Sequence, residues 1–170
     1  CYWPAGVEDL EQAERAALAV TVIRAGIEDG MRVLDLGCGW GSLSLWIAEH
    51  FPKASVTAVS NSTSQRDFIR GQAKQRSLHN VDVIVCDMND FETDLQFDRV
   101  VSIEMFEHMR NYGELFRRID RWLLPDGRFF MHVFCHRSTP YEYIDKGPGD
   151  WMSRHFFSGG IMPSAGLPLR

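Results

Sequence analysis

Apolar positions along this chain switch between two periods. From Glu8 to Ala25 the apolar residues Leu10, Ala13, Ala17, Val20 and Ile23 recur at three- and four-residue steps. Acidic residues crowd the first turn, so this stretch predicts a helix, stopped by Gly26 and then Asp29-Gly30. Arg32-Val33-Leu34-Asp35-Leu36 is a short apolar run ending at Gly37 and predicts a buried strand. A helix from Ser42 to Phe51, broken by Pro52, precedes a β-branched strand, Ser55-Val56-Thr57-Ala58-Val59. A polar helix over Thr63 to Leu78 leads to a third strand over Val81 to Cys86, and a fourth covers Phe97 to Ile103. Tyr112 to Leu124 predicts a helix ended by a Pro125-Asp126-Gly127 turn, and Arg128 to Cys135 a fifth strand. Beyond Arg137 the pattern dissolves into loop, with a short helix near Trp151. Strands alternating with helices predict an α/β fold, a mostly parallel sheet with helices on both faces.

Composition narrows the class. The chain has 170 residues, which predicts one domain over 1–170. Lys and Arg total 18 against 23 Asp and Glu, a net charge of −5, which argues against a nucleic-acid partner. No apolar run reaches the roughly 18 residues of a membrane span, and no basic, then apolar, leader is visible. Cys1, Cys38, Cys86 and Cys135 are scattered without a C-x-x-C pair, so neither a metal site nor a disulfide scaffold is expected, and a cytoplasmic setting with free thiols fits.

Asp35-Leu36-Gly37-Cys38-Gly39-Trp40-Gly41 follows the first strand and opens a helix. Glycines there let the backbone turn sharply and let a ligand approach with no Cβ in the way, at the strand ends where open α/β sheets bind ligands. A phosphate loop would need Gly-Lys-Ser/Thr, which is absent, and the third glycine comes one residue early for a dinucleotide fingerprint. After the second strand, Ser60-Asn61-Ser62-Thr63-Ser64-Gln65 lacks the acid that often binds a ribose, but the Asn61 and Gln65 amides can pair with hydroxyls. The alternative is a Ser/Asn helix cap with a solvated Gln65. After the third strand, Asp87 can accept from an adenine amino group and Met88 can cover its ring.

These residues together resemble a known group. Gly-x-Gly-x-Gly after an acid resembles motif I of class I S-adenosylmethionine-dependent methyltransferases. Val33 to Gly41, Met105-Phe106-Glu107-His108 and Met162-Pro163-Ser164 are similar to motifs of the cyclopropane-fatty-acid synthase superfamily within that class. The runs Asn61 to Gln65, Glu104 to Tyr112, Phe134 to Arg137 and Asp150 to Arg154 look more like its coclaurine-type alkaloid N-methyltransferase branch than its lipid branch, which has Gly at the position of Glu104. The resemblance implies a Rossmann-like class I methyltransferase fold with S-adenosylmethionine as cofactor. It places Asp35, Gly37 and Gly39 at motif I, the two glycines against the cofactor's amino-acid portion, Asn61 and Gln65 at the ribose, and Asp87 and Met88 at the adenine, with Ser60 also among the cofactor-binding residues. His132 matches the histidine of the lipid branch's bicarbonate pocket, which puts His132 and Phe134 in the substrate pocket. That branch's bicarbonate cysteine would fall one residue before Cys1, so Cys1 does not inherit its role.

Glu104, Glu107 and His108 stand at i, i+3 and i+4 just after the fourth strand, where a helical turn would put them on one face beside the cofactor. An alkyl amine must lose its proton before it can attack, and a carboxylate or imidazole can take that proton and aim the lone pair. His132, Phe134 and His136 alternate along the fifth strand and are expected on one face of it.

The leading expectation is methyl transfer to the nitrogen of a small amine. The second is cyclopropane formation on unsaturated lipid acyl chains, and the third a cofactor-binding domain without catalysis. The partners are accordingly a small amine or a lipid acyl chain, with self-association open. A class I sheet has seven strands and only five are legible here, so the chain is expected to be a fragment without the last two, or one whose edge another molecule covers. The opening on Cys1 and the closing run Pro163 to Arg170 agree with that expectation, which leaves Phe129, Phe130 and Val133 at an unpaired edge.

Overall fold

The computed structural model describes residues 2–155, 157 and 159–167, so Cys1 and the last three residues of the closing run lie outside the described residues. Five strands form a parallel sheet: β1 (Arg32–Leu36), β2 (Ser55–Ser60), β3 (Val81–Val85), β4 (Phe97–Ile103) and β5 (Leu123–His132), in the order β3-β2-β1-β4-β5. The helices are α1 (Leu10–Ala25), α2 (Ser42–His50), α3 (Thr63–Gln75), α4 (Tyr112–Trp122) and a short α5 (Trp151–His155). β1 and β4 are buried along nearly their whole length, as central strands covered on both faces must be. The chain winds outward from β1 through β2 to β3, then returns to lay β4 on the other side of β1. That reversal opens a crevice at the strand ends between β1 and β4.

Local chemistry sets the element ends. Asp9 caps α1 by accepting from the Gln12 N–H at 2.8 Å, and Gly26 closes it in a left-handed conformation, φ +63°. Arg99, buried in β4, donates from Nε to Ala25 O and Gly26 O, both at 2.9 Å, and fastens the C-terminus of α1 to the sheet. Ser62 caps α3, which ends at Gln75 rather than Leu78 because the chain reverses through Ser77 at φ +56°.

Two expectations are corrected. Helix α4 stops at Trp122, and the anticipated Pro125-Asp126-Gly127 turn lies inside β5 as an irregularity in its pairing with β4. Pro125 offers no N–H to the ladder, and a Cβ at Gly127 would sit 2.9 Å from both Leu124 O and Phe97 O. The strand ends at His132, so His132, Phe134 and His136 do not share a strand face. The N–H of His136 donates to Pro163 O at 2.8 Å, and its Nδ1 accepts from the Thr139 N–H at 3.0 Å.

The loop expected beyond Arg137 carries a small antiparallel pair, β6 (Tyr141–Glu142) with β7 (Ile161–Met162). β5 borders the described sheet, with Phe129, Phe130 and Val133 half-buried. Among the described residues no helix is long and apolar enough to cross a membrane.

The core beneath the crevice gathers Leu34, Leu36, Val100, Phe106, Leu115, Ile119 and Trp122. Trp122 is 1% exposed and meets Phe91 edge to face at 5.1 Å between centroids. Trp122→Ala is expected to cost about 3–5 kcal/mol, read as a lowered denaturant midpoint at constant slope.

Candidate functional site

The glycine loop after β1 folds back toward β2. The N–H groups of Gly37 and Cys38 both donate to Val59 O at 3.0 Å. Its three glycines differ in what surrounds them. At Gly37, φ +76°, a Cβ would lie 2.5 Å from Met105 Cγ, and at Gly41, φ +80°, it would lie 2.6 Å from Ile69 Cγ1. At Gly39, φ +54°, a Cβ would meet no protein atom within 4 Å. Gly37 and Gly41 thus answer to packing, while Gly39 borders open space.

That space is two clefts that share Gly37, Gly39 and Glu104. One, about 440 Å³, is lined by Ser60, Asn61, Gln65, Asp87 and Met88 and reaches His108. The Ser60 hydroxyl donates to Gln65 Oε1 at 2.5 Å, so Ser60 aims Gln65 rather than facing a ligand first. The Ser62 cap and a pinned, half-buried Gln65 merge the two readings that the sequence left open. Asp87 Oδ1 accepts from the N–H and the side-chain amide of Asn89, both at 2.8 Å, which folds the loop after β3 on itself.

The second cleft, about 690 Å³, lies between α1 and the ends of β1, β4 and β5. Asp35, Phe130 and His132 line it, as do Glu14, Leu18, Thr21 and Arg24 of α1. Reading the sequence assigned α1 no part in a site. The signal was present, since positions 14, 17, 18, 21 and 24 lie on one helical face and carry three polar side chains. Asp35 is 2% exposed, and its Oδ2 accepts from the Ser44 hydroxyl at 2.6 Å, so it lies under the loop. Burial pushes its carboxyl up to about 6 against the lowering effect of Ser44.

The acid–histidine group does not share one helical face. Glu104 adopts φ +55°, and a single 3-10 turn, Phe106–His108, follows. With three residues per turn, that turn brings Glu104 and Glu107 toward each other and sends His108 elsewhere. Glu107 is fully buried, and its Oε1 accepts from the Phe134 N–H. Glu104 stays near the surface with Oε1 2.7 Å from His132 Nδ1. His108 lies against the Phe157 ring, centroids 5.4 Å apart. Phe157 and Gly160 are site residues that sequence reading missed. A Cβ at Gly160 would stand 2.6 Å from Glu107 O, so the β6–β7 arm closes on the acid turn only through glycine.

Burial first, then the Glu107 charge and a hydrogen bond with that carboxyl, push Glu104 up to about 7. Tyr112, whose hydroxyl donates to Phe106 O at 2.8 Å, is likewise pushed up to about 12 by burial and the Glu107 charge.

The raised carboxyl has a consequence for stability. Glu104 holds its proton to about 7 when folded against 4.5 when unfolded. Its contribution is therefore complete below the unfolded value and is lost as pH rises through the folded one. The melting temperature of wild type minus that of Glu104→Gln is expected to fall between about pH 5 and pH 8. A difference independent of pH would show that Glu104 titrates normally.

A family model described as mycolic acid cyclopropane synthetase matches residues 1–167. (S)-Coclaurine N-methyltransferase of Thalictrum flavum subsp. glaucum is 40% identical over 171 residues, 99% of this chain and 47% of that protein. Cyclopropane-fatty-acyl-phospholipid synthase of Escherichia coli is 34% identical over 170 residues, 96% of this chain and 40% of that protein. This chain thus spans about half the length, or less, of these curated relatives. A crystal structure of coclaurine N-methyltransferase bound to N-methylheliamine and SAH superposes with a TM-score of 0.92 at 39% identity, over 99% of this chain and 50% of that one. A mycolic acid cyclopropane synthase, at 23% identity and a TM-score of 0.79, shares the fold. The Rossmann-like methyltransferase architecture is therefore the fold of this chain, and the chain belongs to the mycolic acid cyclopropane synthetase family.

Proposed function

We propose that this chain carries the S-adenosylmethionine site and the proton-accepting group of a methyltransferase acting on the nitrogen of a small amine. The observation that carries the reading is Glu104, which lines both clefts and whose carboxyl burial and the buried Glu107 beside it push up to about 7. The similarity to coclaurine N-methyltransferase supports the amine, and the SAH bound in that relative supports the cofactor.

The residues present fit that cofactor. Gly39 borders open space, and Ser60 occupies the acceptor oxygen of Gln65, which leaves the amide N–H groups to meet hydroxyls. Asp87 and Met88 line the same cleft. When bound, S-adenosylmethionine supplies a methyl group on a cationic sulfur, and carboxylates concentrated around the clefts complement that charge.

The chain's own groups then have distinct tasks. An alkyl ammonium with a pKa of about 10 must give up a proton before its nitrogen can attack. Glu104, about 7, is partly ionised at neutral pH and positioned to accept it, with His132 hydrogen-bonded behind. His108, fixed against Phe157 and lining the same cleft as Glu104, aims the acceptor.

The test is methyl transfer from labelled S-adenosylmethionine to a panel of secondary and tertiary amines and, in parallel, to unsaturated phospholipid vesicles. Label in amines supports the proposal. Label in lipid alone would favour the second reading, which rests on the family match and the Escherichia coli relative. Glu107→Gln and His108→Ala are expected to lower kcat by about a hundredfold or more, with affinity for S-adenosylhomocysteine within about twofold. Gly39→Ala is expected to weaken that affinity at least about tenfold at a folding cost of roughly 1–2 kcal/mol. Gly37→Ala, in contrast, collides with Met105 and is expected to damage the fold itself.

A further inference from the structure

Helix α4 buries an arginine that serves neither the core nor the acid–histidine turn. Arg118 is 5% exposed. Its Nη1 donates to Met88 O at 2.8 Å and to Asn89 O at 3.3 Å, and its Nη2 donates to Phe91 O. Its Nε stands 3.1 Å from Glu92 Oε1, and the guanidinium lies over the Trp122 ring, 5.2 Å from its centroid. The fork thus grips the loop between β3 and β4 almost entirely by its backbone.

That loop is already a small rigid unit. The N–H groups of Asp90 and Phe91 donate to Asp87 O at 3.0 and 2.9 Å, and Asp87 Oδ1 takes both donors of Asn89. Asp87, Met88 and Asn89 line the smaller cleft, while the carbonyls of Met88 and Asn89 face the guanidinium. Fixing those carbonyls fixes which way Asp87 and Met88 face.

We propose that Arg118 is a positioning residue for the adenine end of the cofactor cleft, acting through the backbone of Met88, Asn89 and Phe91. The inference rests on the cofactor reading given above. Arginine is required by geometry. A planar fork reaches several carbonyls at once, whereas a lysine ammonium on the same stem reaches fewer and leaves buried oxygens without a donor. Without the fork the loop has more orientations to choose from, and a ligand must fix it at the moment of binding. The loss therefore falls on cofactor affinity and not on the chemistry at Glu104 and Glu107.

Calorimetry with S-adenosylhomocysteine tests this on the full chain. Arg118→Lys is expected to raise Kd at least about tenfold. In the methyl-transfer assay KM for S-adenosylmethionine should rise in step, while kcat at saturation stays within about twofold. Glu92→Gln, which removes an exposed partner and no carbonyl contact, should bind like wild type. A mere structural staple would lower the melting temperature and leave the split between KM and kcat unmoved. Wild-type Kd in Arg118→Lys would overturn the proposal. Absence of binding by the wild type would overturn the cofactor reading and this proposal with it. Should Arg118→Lys fail to fold, hydrogen exchange on the wild type decides. Protection of the Asp90 and Phe91 amides before ligand is added is expected, and protection only after addition overturns the idea.

Discussion

The site depends on one close approach, the contact of the glycine loop with the turn that leaves β4. Gly37 passes so near Met105 that a Cβ would fall 2.5 Å from Met105 Cγ. Around that contact, Ser102 donates to Leu36 O at 3.0 Å, and the loop's first N–H groups bond to Val59 O. The ends of β2, β1 and β4 are thereby locked to one another where the strand order reverses. Both clefts open from this lock, and Glu104 borders each. A larger residue at position 37 would push apart the two surfaces that any ligand there must bridge.

The same packing concentrates charge that is costly to ionise. Asp35 under the loop and Glu104 at the cleft mouth are both raised, the first by burial and the second by burial and a neighbouring carboxyl. Cys38 is pushed up to about 12 by burial and by Asp35, so it is a packed thiol and not a nucleophile. An apolar cradle with acids held in it is a poor place for an anion and a good one for a cation. The acids along these clefts therefore suit the positively charged sulfur of the proposed cofactor.

Support for the reactive turn comes from a direction unrelated to the sheet. The β6–β7 arm returns over the 3-10 turn, where Phe157 meets His108 and Gly160 abuts Glu107 O. Tyr143 stacks on Phe157 with 4.7 Å between centroids, so an aromatic pair backs the imidazole. The arm, the α1 face and the loop held by Arg118 enclose the site on three sides, each with its own anchoring.

The sequence determined the framework because its signals are local. Short apolar and β-branched runs marked all five sheet strands, and the span of β1 and of β4 was read to the residue. The glycine spacing located the ligand loop, and the expected cofactor residues line the clefts, but Glu107 is buried and Phe134, expected in the substrate pocket, is exposed and lines neither cleft. Tertiary structure decided what depends on distant neighbours. Pro125-Asp126-Gly127 reads locally as a turn, but pairing with β4 keeps it in the strand. Glu104, Glu107 and His108 read as one helical face, but a left-handed residue and a 3-10 turn separate them, putting one acid in the core and the other at a cleft. Arg118 has no local signal of its role, and the fold buries it against carbonyls thirty and twenty-seven positions earlier in the chain. Periodicity records which side of an element is apolar; it holds no record of which remote backbone oxygen will need a donor.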